Sequence, residues 1–152
     1  MKPSKDVKPY SYVRDRRSPT PKNDTVSRVM SANRAKDTTP EIIVRRQLTR
    51  NHIHGYELHC RELPGTPDIC FYKPQIAVFI NGCYWHRCPY CKYDLPKTNT
   101  TFWKSKFENN IKRDRRNRRK LWYLGWKTIT IWECQIENDV RICVNRIINR
   151  LK

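Results

Sequence analysis

Apolar residues fall along this chain in two rhythms, one of strands and one of helices, and together they place most of the elements. The most continuous apolar run, Ile76-Ala-Val-Phe-Ile80, has the length and branched content of a buried strand. Gly55–Cys60 and Asp68–Tyr72 read as two further short strands, with Leu63-Pro-Gly-Thr-Pro67 as the turn between them and Lys73-Pro74 turning the second into the third. Short strands with tight connections predict an antiparallel meander. Lys127-Thr-Ile-Thr-Ile-Trp132 is a fourth strand; a long crossover precedes it, so it is expected to run parallel to a neighbour.

The helical rhythm is clearest at the end of the chain. Val140, Cys143, Val144, Ile147, Ile148 and Leu151 recur at the spacing of one helix face. Thr38-Thr-Pro-Glu41 is a capping box, opening a helix to about Asn51 with Val44 and Leu48 as its buried stripe. Asn99 or Thr100 caps a long helix to about Trp122, which Gly125 breaks. Trp103, Phe107, Ile111 and Asp114 share one stripe of it. Residues 1–24, with four prolines and many Lys and Arg, read as a disordered basic arm, and Ser27–Lys36 as weakly helical around Met30. The expected organisation is that arm followed by one domain over 25–152. Its class is α/β, a small mixed sheet flanked by helices.

Composition adds a partner. The 152 residues carry a formal charge of +18, and the first 36 account for only part of it, with ten Lys or Arg against three Asp. The folded part is therefore basic in its own right, which points to a polyanion. No apolar segment approaches membrane-spanning length and no signal peptide is evident. Seven cysteines without a signal suggest a reducing compartment and metal binding rather than disulfides. Cys60, Cys70 and Cys143 read as small buried hydrophobes.

Candidate chemistry gathers just past the apolar strand, in Asn81-Gly-Cys-Tyr-Trp-His-Arg-Cys-Pro-Tyr-Cys91. Cys88 and Cys91 have the C-x-x-C spacing that chelates one tetrahedral zinc, and Cys83 is a third thiol. Two readings follow. In one, Cys83, His86, Cys88 and Cys91 form a zinc knuckle, although Arg87 alone separates its two pairs, which strains a shared tetrahedron. In the other, Cys134 supplies the fourth thiolate and His86 is free for chemistry. Asp68 begins one strand while Asn81 and His86 follow the next, so an antiparallel pairing would let carboxylate and imidazole converge. Glu41 either caps its helix or serves as a second acid. Asp114, the one acid in a stretch with seven basic residues in nine (112–120), pairs with Arg118 or belongs to the site. Carboxylates that hold Mg²⁺ beside a histidine are what phosphodiester hydrolysis requires.

Taken together, Thr38-Thr-Pro-Glu41, Leu63-Pro-Gly-Thr-Pro-Asp68, Phe79-Ile-Asn-Gly-Cys-Tyr-Trp-His86, Phe102-Trp103, Arg113-Asp-Arg115 and Trp132-Glu-Cys134 resemble the very short patch repair (Vsr) endonucleases in order and spacing. The resemblance covers about Ser27 to Glu137. It implies a restriction-endonuclease-like fold with a structural zinc site, and a Mg²⁺-dependent enzyme that nicks double-stranded DNA 5′ of the T in a T:G mismatch. Asp68 is implied as the main Mg²⁺ ligand, with the Ile80 carbonyl and, through water, Asn81. His86 is implied as general base, with Glu41 and Asp114 as supporting acids. Cys83, Cys88, Cys91 and Cys134 are implied as the zinc ligands.

Met30, Tyr84, Trp85 and Trp103 are implied as wedges at the mismatch, although Trp103 could equally be core. Lys112, Arg113, Arg115 and Arg116 are expected on the phosphates. Asn81 stands where other family members are more polar or acidic, and should hold metal-bound water more weakly. The expected protein is a cytoplasmic, nucleoid-associated monomer. Two alternatives stand beside this reading: a related nuclease that cuts foreign DNA without needing a mismatch, and a zinc-stabilised DNA-binding module without catalysis.

Overall fold

A computed structural model describes residues 19–20, 24–25 and 36–152. Nearly all of the basic arm and of the weak helix around Met30, Met30 itself included, lies outside the described residues. The capping box forms as expected: the Glu41 carboxylate accepts from the Thr38 backbone N–H and hydroxyl, and starts α1, Thr39–Arg50. The meander follows as β1 (Glu57–Leu58), β2 (Ile69–Phe71) and β3 (Ile76–Asn81). β1 and β2 are shorter than the sequence runs. Leu58 is 40% exposed, so little burial extends that edge. α2, Thr100–Tyr123, crosses over to β4, Lys127–Trp132, and α3 runs Glu133–Leu151 with a non-helical break at Asp139.

The sheet order is β1-β2-β3-β4, antiparallel except for the parallel β3–β4 pair, in which Ile80 faces Ile131. This mixed α/β sheet flanked by helices is the expected class. Period-two alternation divides the core between its faces. Ile76, Val78 and Ile80 point into one cluster with Val44 and Leu48 of α1 and Cys143, Val144 and Ile147 of α3. Ala77 and Phe79 point the other way, toward Leu121 of α2 and Trp126. Burying each such aliphatic side chain contributes about 1.5–3 kcal/mol. Among the described residues, no helix is long and apolar enough to cross a membrane.

Two expectations change. Cys60 and Cys70 are buried as expected but are joined as a disulfide rather than free, because the turn after β1 brings them to a Cα separation of 6.6 Å. Ile111 is 45% exposed, off the buried stripe of α2. At about 100° per residue, position i+8 from Trp103 has drifted roughly 80° around the axis, whereas i+11, Asp114, has returned to within about 20°.

Candidate active site and metal centre

β3 ends at Asn81, and the loop beyond it divides its side chains between two places. The turn is local. The His86 N–H donates to the Gly82 carbonyl at 3.2 Å and the Cys88 N–H to the Cys83 carbonyl at 2.9 Å. Arg87 between them takes the left-handed conformation, φ 53°, which lets neighbouring residues face apart. Its guanidinium lies 4.8 Å from the Phe107 ring centroid and reaches the Tyr93 carbonyl.

On one side, the Sγ atoms of Cys83, Cys88, Cys91 and Cys134 all lie within 4.8 Å of one another. Cys88 and Cys134 are 3.7 Å apart. A tetrahedral site with metal–sulfur bonds of about 2.3 Å requires sulfurs about 3.8 Å apart, so this set can hold a metal ion. The loop and the first turn of α3 are also tied by backbone donors: Cys134 N–H to Cys83 Sγ at 3.3 Å, and Cys83 N–H to Glu133 Oε2 at 3.2 Å. Burial raises the Cys83 thiol well above its ordinary value, so a bound cation would have to displace its proton.

His86 is not among these ligands. Its Nδ1 lies 2.6 Å from Asp114 Oδ2, with side chains 26% and 17% exposed. The structure thus favours the second of the two cysteine readings, and pairs Asp114 with His86 rather than with Arg118. Burial alone would raise the Asp114 carboxyl, but the hydrogen bond and charge of His86, with Arg113 at 3.3 Å, hold it below the usual range. An ionised carboxylate only accepts, so Nδ1 carries a proton, and the tautomer with that proton keeps Nε2 as its acceptor nitrogen.

Asp68 sits where β2 begins, its N–H donating to the Val78 carbonyl at 3.0 Å. Its Oδ2 accepts the Ile80 N–H at 2.6 Å. Burial pushes the carboxyl up to about 6; the Ile80 hydrogen bond opposes this, the charge of Glu41 adds to it, and His59 and His86 oppose it. The charges of Glu41, His59 and His86 are thus all felt at the Asp68 carboxyl. Glu41 is 4% exposed and Asn81 7%. His59 is a member that sequence reading missed: its Nε2 lies 3.3 Å from Asp37 Oδ1 and 3.8 Å from Glu41 Oε2. The available signal was its place just after β1, opposite Asp68 across the hairpin.

Beside this group Tyr84, Trp85 and Trp103 form one partly exposed aromatic set with Phe107. Ring centroids are 5.2 Å apart for Tyr84–Trp85, 6.2 Å for Trp85–Trp103 and 5.9 Å for Trp103–Phe107. Phe107 is the buried base of the set, while Trp103 lies at its rim. Lys106 stands 5.4–5.8 Å from the centroids of Trp85, Phe102 and Trp103, and Asn110 donates to the Trp85 carbonyl at 3.1 Å. Lys112, Arg113, Arg115 and Arg116 are exposed on α2.

Residues 20–92 match the family described as DNA mismatch endonuclease Vsr. The chain is 36% identical over 127 residues to the type II nicking enzyme V.NmeAIP of Neisseria meningitidis, covering 82% of this chain and 89% of that one. This chain belongs to the Vsr endonuclease family. It is also 38% identical over 112 residues to the type II nicking enzyme V.XorIIP of Xanthomonas oryzae pv. oryzae, over 72% of this chain and 80% of the relative. The DNA mismatch endonuclease Vsr of Escherichia coli is 30% identical over 128 residues, 84% of this chain and 81% of that protein. Family membership makes the chain a DNA-directed endonuclease.

Proposed function

We propose that this Vsr-family chain is a Mg²⁺-dependent, strand-specific endonuclease that nicks double-stranded DNA on the 5′ side of the T in a T:G mismatch. The observation that carries the reading is the pairing of His86 Nδ1 with Asp114 beside the electrostatically strained Asp68 carboxylate. Asp68 is the cation's main ligand in this reading. One of its oxygens holds the Ile80 N–H, and the charge that burial disfavours suits a hard divalent ion with oxygen ligands. A strand residue's N–H and C=O leave on the same edge, so the Ile80 carbonyl also faces Asp68, and Asn81 follows it through water. Mg²⁺ bound there would neutralise charge developing on the phosphate. His86 Nε2 takes the proton of the attacking water, and Asp114 stabilises the resulting imidazolium. Glu41 supports Asp68 from the start of α1.

Zinc is the ion we assign to the four cysteines, since an all-thiolate tetrahedron is its structural site. Tyr84, Trp85 and Trp103 enter the base stack, assisted by Met30. Opening a step costs a few kcal/mol and is cheapest at a mismatch, while each aromatic–base contact returns about 1–3 kcal/mol. Lys112, Arg113, Arg115 and Arg116 hold phosphates without reading sequence.

A second reading is a Vsr-like nuclease that acts on foreign DNA without mismatch dependence. Labelled matched and T:G duplexes, incubated with Mg²⁺ and with EDTA, separate the possibilities. We expect one Mg²⁺-dependent nick in the T-bearing strand of the mismatched duplex. Equal cutting of both duplexes would support the second reading, and binding without cutting a module without catalysis.

A further inference from the structure

His59 lies between the members of the acid pair, with its backbone on Asp68 and its ring hydrogen-bonded to Asp37 next to Glu41. Its backbone N–H donates to the Asp68 carbonyl at 3.1 Å. Its ring Nε2 lies 3.3 Å from Asp37 Oδ1 and 3.8 Å from Glu41 Oε2. Carboxylate oxygens only accept, so Nε2 carries a proton toward them. The residue is held in the left-handed region, φ 51°, without being glycine, a conformation that costs energy and persists only where surroundings impose it. The ring is mostly covered, its side chain 21% exposed.

Glu41 is otherwise satisfied from its own helix start, by the Asp37 and Thr38 N–H groups and the Thr38 hydroxyl. Nothing in that set fixes how far Glu41 stands from the hairpin that carries Asp68. His59 is a polar side chain that spans the two, beside the apolar cluster that Val44 and Leu48 share with Ile69 and Phe71. A cation in place of the ring contact is disfavoured, because the Arg45 guanidinium already lies 2.8 Å from Asp37 Oδ1 and 3.9 Å from Glu41 Oε2.

We propose that His59 is a positioning residue of the nicking site: it fixes the spacing between Glu41 on α1 and Asp68 on the hairpin, and so the affinity of that site for its divalent ion. This deepens the proposed function and rests on it for the reaction, though not for the metal. His59→Ala and His59→Gln, in the full chain, carry the test; Gln keeps a donor near the Nε2 position. Mn²⁺ binding, read by the loss of its paramagnetic resonance signal, is measured beside nicking rate, duplex Kd and Tm.

The expected result for His59→Ala is roughly tenfold weaker Mn²⁺ binding with nicking reduced tenfold or more at subsaturating metal. Duplex Kd should stay within twofold, and His59→Gln should recover most of the loss. Parental Mn²⁺ affinity in His59→Ala overturns the proposal. So does an equal loss in both variants that follows Tm, or a Mn²⁺ stoichiometry that falls by one ion, which would make His59 a ligand. If the parent nicks neither matched nor mismatched duplex, the proposed function fails, while the Mn²⁺ titration still decides the role of His59.

Discussion

The end of β3 feeds two clusters of ionisable side chains that are built on opposite principles. Cys83, Cys88, Cys91 and Cys134 turn their sulfurs on one another, with Cys83 1% and Cys88 4% exposed. Asp68 spends Oδ2 on the Ile80 N–H, and His86 spends Nδ1 on Asp114, whose other oxygen Arg113 takes; Asp68 Oδ1 and His86 Nε2 have no hydrogen-bond partner among the described residues. A ligand set that is complete within the protein can only hold; one with open positions can react. A single segment supplies both, because the left-handed Arg87 sends His86 toward α2 and Cys88 toward α3.

Removing one member from the closed cluster should have the largest effect. Cys134→Ser leaves three thiolates, and structural zinc sites contribute about 10–16 kcal/mol of binding free energy that is also folding free energy. We expect loss of bound zinc and of cooperative unfolding, followed by metal analysis and circular dichroism. A variant that stays folded and zinc-free would show that the cluster does not hold the fold.

In the open cluster the fold should survive and the rate should not. Asp68→Ala is expected to lower nicking at least about a thousandfold, near 4 kcal/mol of transition-state stabilisation. Duplex binding should persist if, as proposed, the exposed Lys and Arg of α2 hold the phosphates. Zinc content should match the parent. Residual nicking near the parental rate would remove Asp68 from the site.

Asp114→Asn probes the orientation of the base. The amide can donate to Nδ1 and so favours the tautomer that blocks Nε2, which the ionised carboxylate excludes. Nicking should fall about a hundredfold at neutral pH, close to 2.7 kcal/mol, with the loss confined to rate rather than to duplex Kd. A pH–rate profile parallel to the parent's, without loss, would return Asp114 to a surface role.

How much of this was legible differs between the two clusters. Thiol spacing is a local signal, so Cys88-x-x-Cys91 announced itself, and Cys134 stood out by closing an apolar strand. The sheet was legible for the same reason, because β3 and β4 carry their burial in their own composition. The open cluster depends on long-range pairing. Asp68 and His86 could be placed from strand ends, but nothing local selects His86 over Arg118 as the partner of Asp114. His59 follows a two-residue strand whose residues are exposed, so no burial rhythm marked it. The Cys60–Cys70 disulfide was hidden because both residues also suit an apolar interior.

The smallest expected effect tests whether openness costs stability. Burial holds the Asp68 carboxyl up at about 6 against an ordinary 3.8. A raised carboxyl contributes fully to stability below its unfolded value near 4, and that contribution is lost as pH rises through about 6. At pH 7 the ionised group therefore works against the folded state. Asp68→Asn removes the charge but keeps an oxygen for the Ile80 N–H, so the variant should be more stable than the parent at pH 7, by about 2 kcal/mol after allowing for residual solvation. Urea unfolding without added Mg²⁺ at pH 7, 6 and 5 should show this advantage shrinking as the parent's carboxylate protonates. Added Mg²⁺ should stabilise the parent alone and narrow the gap at pH 7, because a ligand stabilises only the state that binds it. A gap independent of both pH and Mg²⁺ would mean that Asp68 is no less comfortable in its site than the cysteines are in theirs, and the contrast between closed and open clusters would lose its energetic basis.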